Sequence, residues 1–285
     1  MKYFRFKPLA AAAALLAMFG SAQADSFFWA VNQFTTIQRL NGDTGAVVDS
    51  FAIPFGSGSA ASIAFVGNTG YYTRLGDPQV YKVDMTTHLY GGVAFNIGVN
   101  AGLNNGITTD SNGHLWFAGG AGDAIKEYTT AGALVSTHAF PAAAGSYRDG
   151  SVVFGGFVVA NRGDQQGPYD KYSIGAGNLP LTLVQSAFIN PAINGQTLFG
   201  SNGIAFNGTN FYTSDEQAHR VSKWDSNGNF VSFAALDPGS RYENWTFASQ
   251  DINPAIPEPE TYALMLAGLA VLGAVARRRK QDTAA

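Results

Sequence analysis

The histidines are the residues of this sequence best suited to acid–base chemistry or metal binding. They are His88, His114, His138 and His219. No two of them form an H-E-x-x-H or H-x-H motif, so their spacing indicates no zinc site. His219 is the one with carboxylates close before it, at Asp215 and Glu216. We expect each histidine to lie in a solvated turn or on a strand face.

Four aspartates near predicted loops are the other candidate ligands: Asp110, Asp149, Asp164 and Asp215. They lack the D-x-[DN]-x-[DN]-G spacing of a calcium loop, so turn capping explains them better. The sequence also contains no G-x-S-x-G, and no Lys-Ser/Thr follows the glycine-rich stretch 119–122. We therefore assign no catalytic residue, no metal ligand and no cofactor, while calcium or another divalent metal stays open without support from a motif.

The amino-acid composition limits the possible fold classes and binding partners. The chain is 46% apolar, with 34 glycines and 21 phenylalanines, which favours many short strands and tight turns. Residues 25–256 hold 10 basic and 17 acidic side chains, a net charge of −7, and this charge disfavours nucleic-acid binding. The sequence has no cysteine, so neither disulfides nor thiolate metal sites contribute.

The N-terminus has the three parts of a signal peptide. Basic residues lie among the first seven, an apolar run follows over residues 9–19, and Ala22-Gln23-Ala24 fits an A-x-A cleavage site. The run is too short to span a membrane, so we expect removal of residues 1–24 by signal peptidase after export through the Sec translocon.

The C-terminus has the parts of a membrane anchor. Pro257, Glu258 and Pro259 precede an uncharged stretch of residues 262–276, which would reach about 22 Å as a helix. A cationic cluster follows and predicts a stop-transfer signal that stays in the cytoplasm. Its members are Arg277, Arg278, Arg279 and Lys280.

In this order, the Pro-Glu-Pro motif, the apolar stretch and the arginine cluster resemble the PEP-CTERM sorting domain of Gram-negative bacteria. The resemblance covers about residues 256–280. It implies recognition by an exosortase, cleavage near Pro257, Glu258 and Pro259, and release or attachment of the exported domain at the cell surface. The two prolines keep the motif extended and out of the helix, where an enzyme can reach it. Residues 254–285 are thus the predicted sorting tail.

Between the ends, one triplet recurs five times: a polar residue, a large apolar one, then a small polar one. The intervals between copies are 43, 45, 44 and 52 residues. The copies are Arg39-Leu40-Asn41, Lys82-Val83-Asp84, Glu127-Tyr128-Thr129, Lys171-Tyr172-Ser173 and Lys223-Trp224-Asp225. Two strand-like runs precede each triplet after the first, and a further apolar run tends to follow. Four short strands in about 44 residues are typical of a propeller blade.

Residues 25–253 are therefore predicted to form an all-β domain, a β-propeller of five four-stranded blades. The first unit begins at Phe27-Phe28-Trp29-Ala30, which matches the second strand of the others. We expect Trp245-Thr246-Phe247-Ala248 to supply the missing strand and close the ring. A degenerate sixth blade within residues 185–201 and a two-sheet sandwich are the alternatives, although a sandwich does not explain the period.

The units resemble NHL-type or YVTN-type propeller repeats in pattern over about residues 26–250. That resemblance leaves two functions open. The first is a non-enzymatic surface or matrix protein whose propeller is a binding scaffold; since PEP-CTERM tails are associated with exopolysaccharide production, it implies a carbohydrate-rich setting. The second is a metal-dependent propeller lyase or lactonase in the periplasm or outside the cell. We favour the first, because no metal-binding motif supports the second.

Overall fold

The computed structural model describes ten stretches of the chain, and these form nineteen strands in five antiparallel sheets. The stretches are residues 27–33, 35–53, 60–74, 77–98, 106–118, 124–141, 150–161, 168–194, 203–215 and 218–239. They include a 3-10 helix, Pro191–Asn194. No helix within them has the length and apolar character to cross a membrane.

Each sheet is built from consecutive strands. The first contains β1 (Phe27–Asn32), β2 (Thr36–Asn41) and β3 (Val47–Ala52). The second contains β4 (Ala60–Val66), β5 (Thr69–Arg74), β6 (Asp77–Asp84) and β7 (Tyr90–Asn96). The third contains β8 (Gly106–Thr109), β9 (Leu115–Ala118), β10 (Ala124–Tyr128) and β11 (Leu134–Ala139). The fourth contains β12 (Ser151–Phe154), β13 (Phe157–Asn161), β14 (Tyr169–Ser173) and β15 (Thr182–Ile189). The fifth contains β16 (Ile204–Phe206), β17 (Phe211–Asp215), β18 (Arg220–Trp224) and β19 (Phe230–Ala235).

The predicted repeat corresponds to one sheet per unit. In the four-stranded sheets each triplet lies at the end of the third strand, for example Lys82 to Asp84 at the end of β6 and Lys223 with Trp224 at the end of β18. In the first sheet it lies at the end of β2. The prediction of five units is confirmed. The sixth blade is wrong, because Gln185 belongs to β15, the outer strand of the fourth sheet.

The core lies between the sheets rather than within one central layer. Five clusters of buried side chains are present, and each joins two neighbouring sheets. Side chains alternate along a strand, so Tyr71 of β5 packs toward the third sheet while Tyr72 packs toward the first. The sheets therefore form a ring of blades, and the two-sheet sandwich is wrong.

The ring closes between the fifth and first blades. The rings of Phe28 and Tyr212 lie 5.4 Å apart in a shared buried cluster. Lys223 Nζ lies 2.6 Å from Asp43 Oδ1, across the same boundary. The fold is a five-bladed β-propeller.

The triplet has a physical explanation in the hairpin that follows it. Its middle residue is buried in every blade, as in Leu40 and Trp224. In four blades its last residue caps the turn, as when Asp225 Oδ1 accepts the amides of Asn227 and Asn229, both at 2.8 Å. Asn41, Asp84 and Thr129 make the corresponding bonds. The repeat therefore encodes a buried anchor followed by a capped turn.

Two glycines of these turns are fixed by close packing between blades. Gly45 has φ +74° and Gly228 has φ +80°. A β-carbon on Gly45 would lie 2.0 Å from the carbonyl oxygen of Ala235, and one on Gly228 would lie 2.1 Å from that of Phe188. Each turn thus contacts the outer strand of the preceding blade, where a side chain does not fit.

The predicted terminal segments lie outside the described residues. These are the signal peptide at 1–24, the ring-closing run at 245–248 and the membrane helix at about 262–276.

Replacing Asp225 by alanine should lower the free energy of unfolding by about 1 kcal/mol, because two turn amides lose their acceptor. Hydrogen bonds from Asn229 and Asn227 lower the pKa of the Asp225 carboxyl. Its ionised form therefore stabilises the fold above the unfolded-state pKa of about 3.9, and this contribution is lost as pH falls through the lower folded-state value. Urea unfolding followed by tryptophan fluorescence measures both effects.

Asp225→Asn is the matched control, since its amide oxygen can still accept both bonds. It should retain most of the stability at pH 7 and show a weaker loss in acid than the unchanged protein. Equal urea midpoints for Asp225→Ala and the unchanged protein would show that the cap does not stabilise the blade.

Candidate functional site

Turns of the third, fourth and fifth blades enclose a groove of about 650 Å³. These turns join first to second strands, as at Asn112 and Asn207, or third to fourth strands, as at Gly177. Because strands alternate in direction, all such turns lie on one face of the propeller, which we call the turn face. The connections from second to third strands and from blade to blade begin and end on the opposite face.

The site residues predicted from the sequence lie elsewhere in the chain. Ala22 and Ala24 of the cleavage site, and Pro257, Glu258 and Pro259 of the sorting motif, lie outside the described residues. The same holds for the stop-transfer residues Arg277, Arg278, Arg279 and Lys280.

Asp110 organises the turn between β8 and β9 at one end of the groove. Its Oδ1 accepts the amides of Asn112 and His114 at 2.9 and 3.0 Å. Its Oδ2 accepts the indole N–H of Trp116 at 3.0 Å. The carboxylate thus caps the turn and ties it to a buried tryptophan of the next strand.

A chain of polar side chains runs from this turn into the third blade. His114 Nδ1 lies 2.6 Å from Glu127 Oε1, and Ser136 donates to Glu127 Oε2, also at 2.6 Å. His138 Nε2 lies 3.0 Å from Ser136 Oγ. The imidazole of His138 is 1% exposed and stacks on Trp116, with ring centroids 5.8 Å apart. We call the residues Asp110, His114, Glu127, Ser136 and His138 the blade-3 network.

The hydrogen bonds of His138 fix its position in the blade. Its Nδ1 is 2.7 Å from the carbonyl oxygen of Leu179, which can only accept, so Nδ1 carries a hydrogen. The hydroxyl of Ser136 lies within hydrogen-bonding distance of both His138 Nε2 and Glu127 Oε2, so it links the imidazole to the carboxylate.

Three residues of the network also have the geometry of a metal site. One ligand atom from each of Asp110, His114 and Glu127 lies within 4.8 Å of the others. These side chains are only 11%, 29% and 12% exposed. However, each of their four carboxylate oxygens already has a protein donor or the His114 ring as partner. A metal ion would compete with these contacts for the lone pairs of the carboxylates.

The other histidines lie away from the network. His88 stacks on Phe51, with centroids 4.0 Å apart, and its Nε2 lies 3.6 Å from Asp49. The Asp215 carboxylate, which precedes His219 in the sequence, forms an ion pair with Arg220 at 2.8 Å. Asp149 and Asp164 lie outside the described residues.

Glu127 was not predicted as a site residue, although the repeat carries a signal for it. Glu127 occupies the first position of its triplet, where the other four blades have arginine or lysine. A charge reversal at one blade of a repeat marks a position with a different partner. Here that partner is His114, which β9 and β10 bring beside it through the pair Tyr128 and Leu115.

Comparison with known proteins identifies the tail and the fold. Residues 255–280 match the family model of the PEP-CTERM protein-sorting motif. The search of curated proteins finds no match. Among solved structures, a chain of the nidogen/laminin complex is 16% identical with a TM-score of 0.51, over 79% of this chain and 98% of that one. Myxococcus xanthus glutaminyl cyclase is 16% identical with a TM-score of 0.52, over 75% and 88%.

A streptogramin B lyase has a lower TM-score of 0.44 at 15% identity, over 78% of this chain and 74% of that one. These likenesses concern the propeller fold alone. PEP-CTERM proteins are exported and sorted to the cell surface, and the motif implies processing by an exosortase. The chain thus carries a PEP-CTERM sorting motif at residues 255–280 and a five-bladed β-propeller before it.

Proposed function

We propose that the propeller is a non-catalytic scaffold that binds carbohydrate outside the cell, once the protein has been sorted to the surface. The observation that carries the proposal is the groove on the turn face. It combines uncharged hydrogen-bonding groups with exposed ring surface, the combination that sugars require.

The charges of the groove favour a neutral ligand. None of the residues that line it in the described part of the chain is lysine or arginine. Asp110 and Glu127 contribute negative charge, while Ser111, Asn112 and Asn207 contribute hydroxyl and amide groups. A polyanion would be repelled, whereas a neutral polyol can exchange hydrogen bonds with these groups.

The apolar part of the groove offers two phenylalanine rings. Phe154 and Phe206 are partly buried, and their centroids lie 4.7 Å apart. They leave ring surface on which the C–H face of a sugar can stack. Trp29, Trp116 and Trp224 are 1–3% exposed, so these tryptophans serve packing between blades instead.

Removing ring surface should weaken carbohydrate binding. Phe206→Ala should reduce retention of the protein in a gel that contains exopolysaccharide from the host, because its affinity should fall by about two- to thirteenfold when one aromatic contact of about 0.5–1.5 kcal/mol is lost. Asn112→Ala, on an exposed turn of the groove, tests the hydrogen-bonding part without touching the core.

Phe233→Ala is the matched control, since Phe233 is 59% exposed on the outer strand β19 and does not line the groove. The Phe233→Ala variant should migrate through the exopolysaccharide gel like the unchanged protein. If Phe206→Ala and Asn112→Ala also migrate like the unchanged protein, the groove does not bind this polysaccharide.

The proposed processing at both ends predicts defined masses. With the exosortase present, intact mass spectrometry should find a chain that lacks residues 1–24 and everything beyond about Pro257. Replacement of Pro257, Glu258 and Pro259 by alanine should leave the tail intact and the protein in the inner membrane. Pro254→Ala is the control, because Pro254 lies just before the matched motif and should not affect processing. Normal processing of the triple variant would contradict the assigned motif.

The second candidate function is a metal-dependent lyase or lactonase, and the grouping of Asp110, His114 and Glu127 is the observation in its favour. In that case Mn²⁺ should bind in calorimetric titration, and His114→Ala should abolish binding because the nitrogen ligand is lost. His219→Ala is the control, since His219 lies outside the group. Heat of binding that is absent, or equal in all three proteins, would contradict a metal-dependent enzyme.

A further inference from the structure

Arg74 is the last residue of β5, so it lies where the second blade reaches the face opposite to the groove. Its guanidinium carbon lies 5.7 Å from the centroid of the Tyr81 ring. Its Nε is buried and has no hydrogen-bond partner within the described residues, and Arg74 forms no ion pair with any of them. A buried donor of a charged group is costly to leave without an acceptor, so its partner has to be sought outside these residues.

The fifth blade has the same two positions with the charges exchanged. Asp215 ends β17 and pairs in register with Arg220 of β18. Arg220 donates from Nε at 3.1 Å and from Nη2 at 2.8 Å to Oδ2 of Asp215. Arg74 likewise pairs in register with Asp77 of β6, but these two described residues form no ion pair. The register thus permits an arginine–carboxylate pair, which is made in the fifth blade and is absent from the second.

The hydrogen bonds of Asp77 explain this difference. Its Oδ1 accepts the amide of Gln79 at 2.9 Å, and its Oδ2 accepts the hydroxyl of Tyr81. Both bonds hold the carboxylate on its own strand, β6. The guanidinium of Arg74 therefore keeps its planar set of N–H donors available.

Tyr72 brings a second unpartnered group to the same place. It pairs in register with Tyr81, and the two rings stack with centroids 5.3 Å apart. Because such partners project from the same face of a sheet, the Tyr72 hydroxyl lies on the side where Tyr81 reaches Asp77. Tyr72 is 0% exposed, and its hydroxyl has no hydrogen-bond partner in the described stretches. Burial raises the pKa of Tyr72 and the charge of Arg74 opposes this rise, as expected for groups that lie close together.

The first blade covers these tyrosines with apolar side chains. Its buried members of the shared cluster are Trp29, Val31 and Ile37. They shield the tyrosine rings from water, whereas Arg74 and Asp77 are partly exposed. A ligand can therefore reach the guanidinium from solvent and find a buried hydroxyl behind it.

We propose that Arg74 and the Tyr72 hydroxyl form a binding site for a carboxylate group, on the face of the propeller opposite to the groove. The planar fork of arginine matches the two oxygens of a carboxylate, and the tyrosine hydroxyl can donate to the same group. The nearby Asp77 carboxylate disfavours an anion of higher charge, such as phosphate. The two faces of the propeller then differ in the charge of the ligands that they accept, and this site does not depend on what the groove binds.

The arginine Nε–H signals in NMR spectra of the ¹⁵N-labelled full-length protein in detergent test the site. Sodium glucuronate, added at constant ionic strength, should shift the Arg74 signal until the shift saturates, whereas glucose should not shift it. The Arg220 signal is the internal control and should stay unchanged, because its Nε already donates to Asp215. N-acetylglycine presents the carboxylate of a peptide end, so its affinity relative to glucuronate shows whether a peptide or an acidic sugar is preferred.

Three variants separate this site from a general effect of charge, with the backbone amides of β5 and β6 as the signals. Arg74→Gln should abolish their response to glucuronate. Tyr72→Phe should weaken the affinity several-fold without lowering the urea midpoint, because its hydroxyl has no partner within the described residues. Lys126→Gln removes one positive charge from an exposed position of β10 and should bind like the unchanged protein.

An Arg74 signal that does not saturate, or an Arg74→Gln variant with undiminished affinity, would overturn the site. Unchanged affinity in Tyr72→Phe would contradict the role of the hydroxyl. Tighter binding of inorganic phosphate than of either carboxylate would overturn the assignment of the ligand.

Discussion

Every blade has two apolar faces, and only its neighbours can cover them. Tyr71 and Tyr72, adjacent on β5, pack into clusters on opposite sides of one blade. Burying one such side chain contributes roughly 1.5–3 kcal/mol, so an uncovered face would lose several such contributions. With no cysteine in the chain, the domain has no covalent link to compensate. The fold is therefore stable as a closed ring, which explains why contacts such as Lys223 with Asp43 join its first and last blades.

The sequence predicted the period and the strand positions because each triplet combines two local requirements. A buried anchor such as Trp224 and a capping residue such as Asp225 are adjacent in the sequence, so they recur together. The polar network of the third blade was not predicted. Glu127 lies 13 residues from His114, and their contact depends on the register between β9 and β10, which no local pattern reveals. The groove was not predicted either, since turns of three blades form it.

The blade-3 network differs from an open catalytic centre in how its polar atoms are used. The oxygens of Asp110 bind two backbone amides and an indole, and those of Glu127 bind His114 and Ser136. Groups that are satisfied in this way hold a surface in one shape, which suits recognition of a ligand. The same contacts reduce the capacity of the carboxylates to coordinate an ion.

The closure between the fifth and first blades sets the order in which the domain can be completed. Lys223 and Asp43 are 180 residues apart, and the cluster around Phe28 draws five of its eight members from the last blade and the residue after it. Contacts of such high sequence separation form late in folding, since a long loop must close before they contribute. A chain that emerges from its N-terminal end therefore keeps one face of its first blade exposed until almost the whole propeller has followed. Delivery across a membrane as an unfolded chain is compatible with this order, and the period before closure is the time at which the protein is most exposed to proteases and to association with other chains.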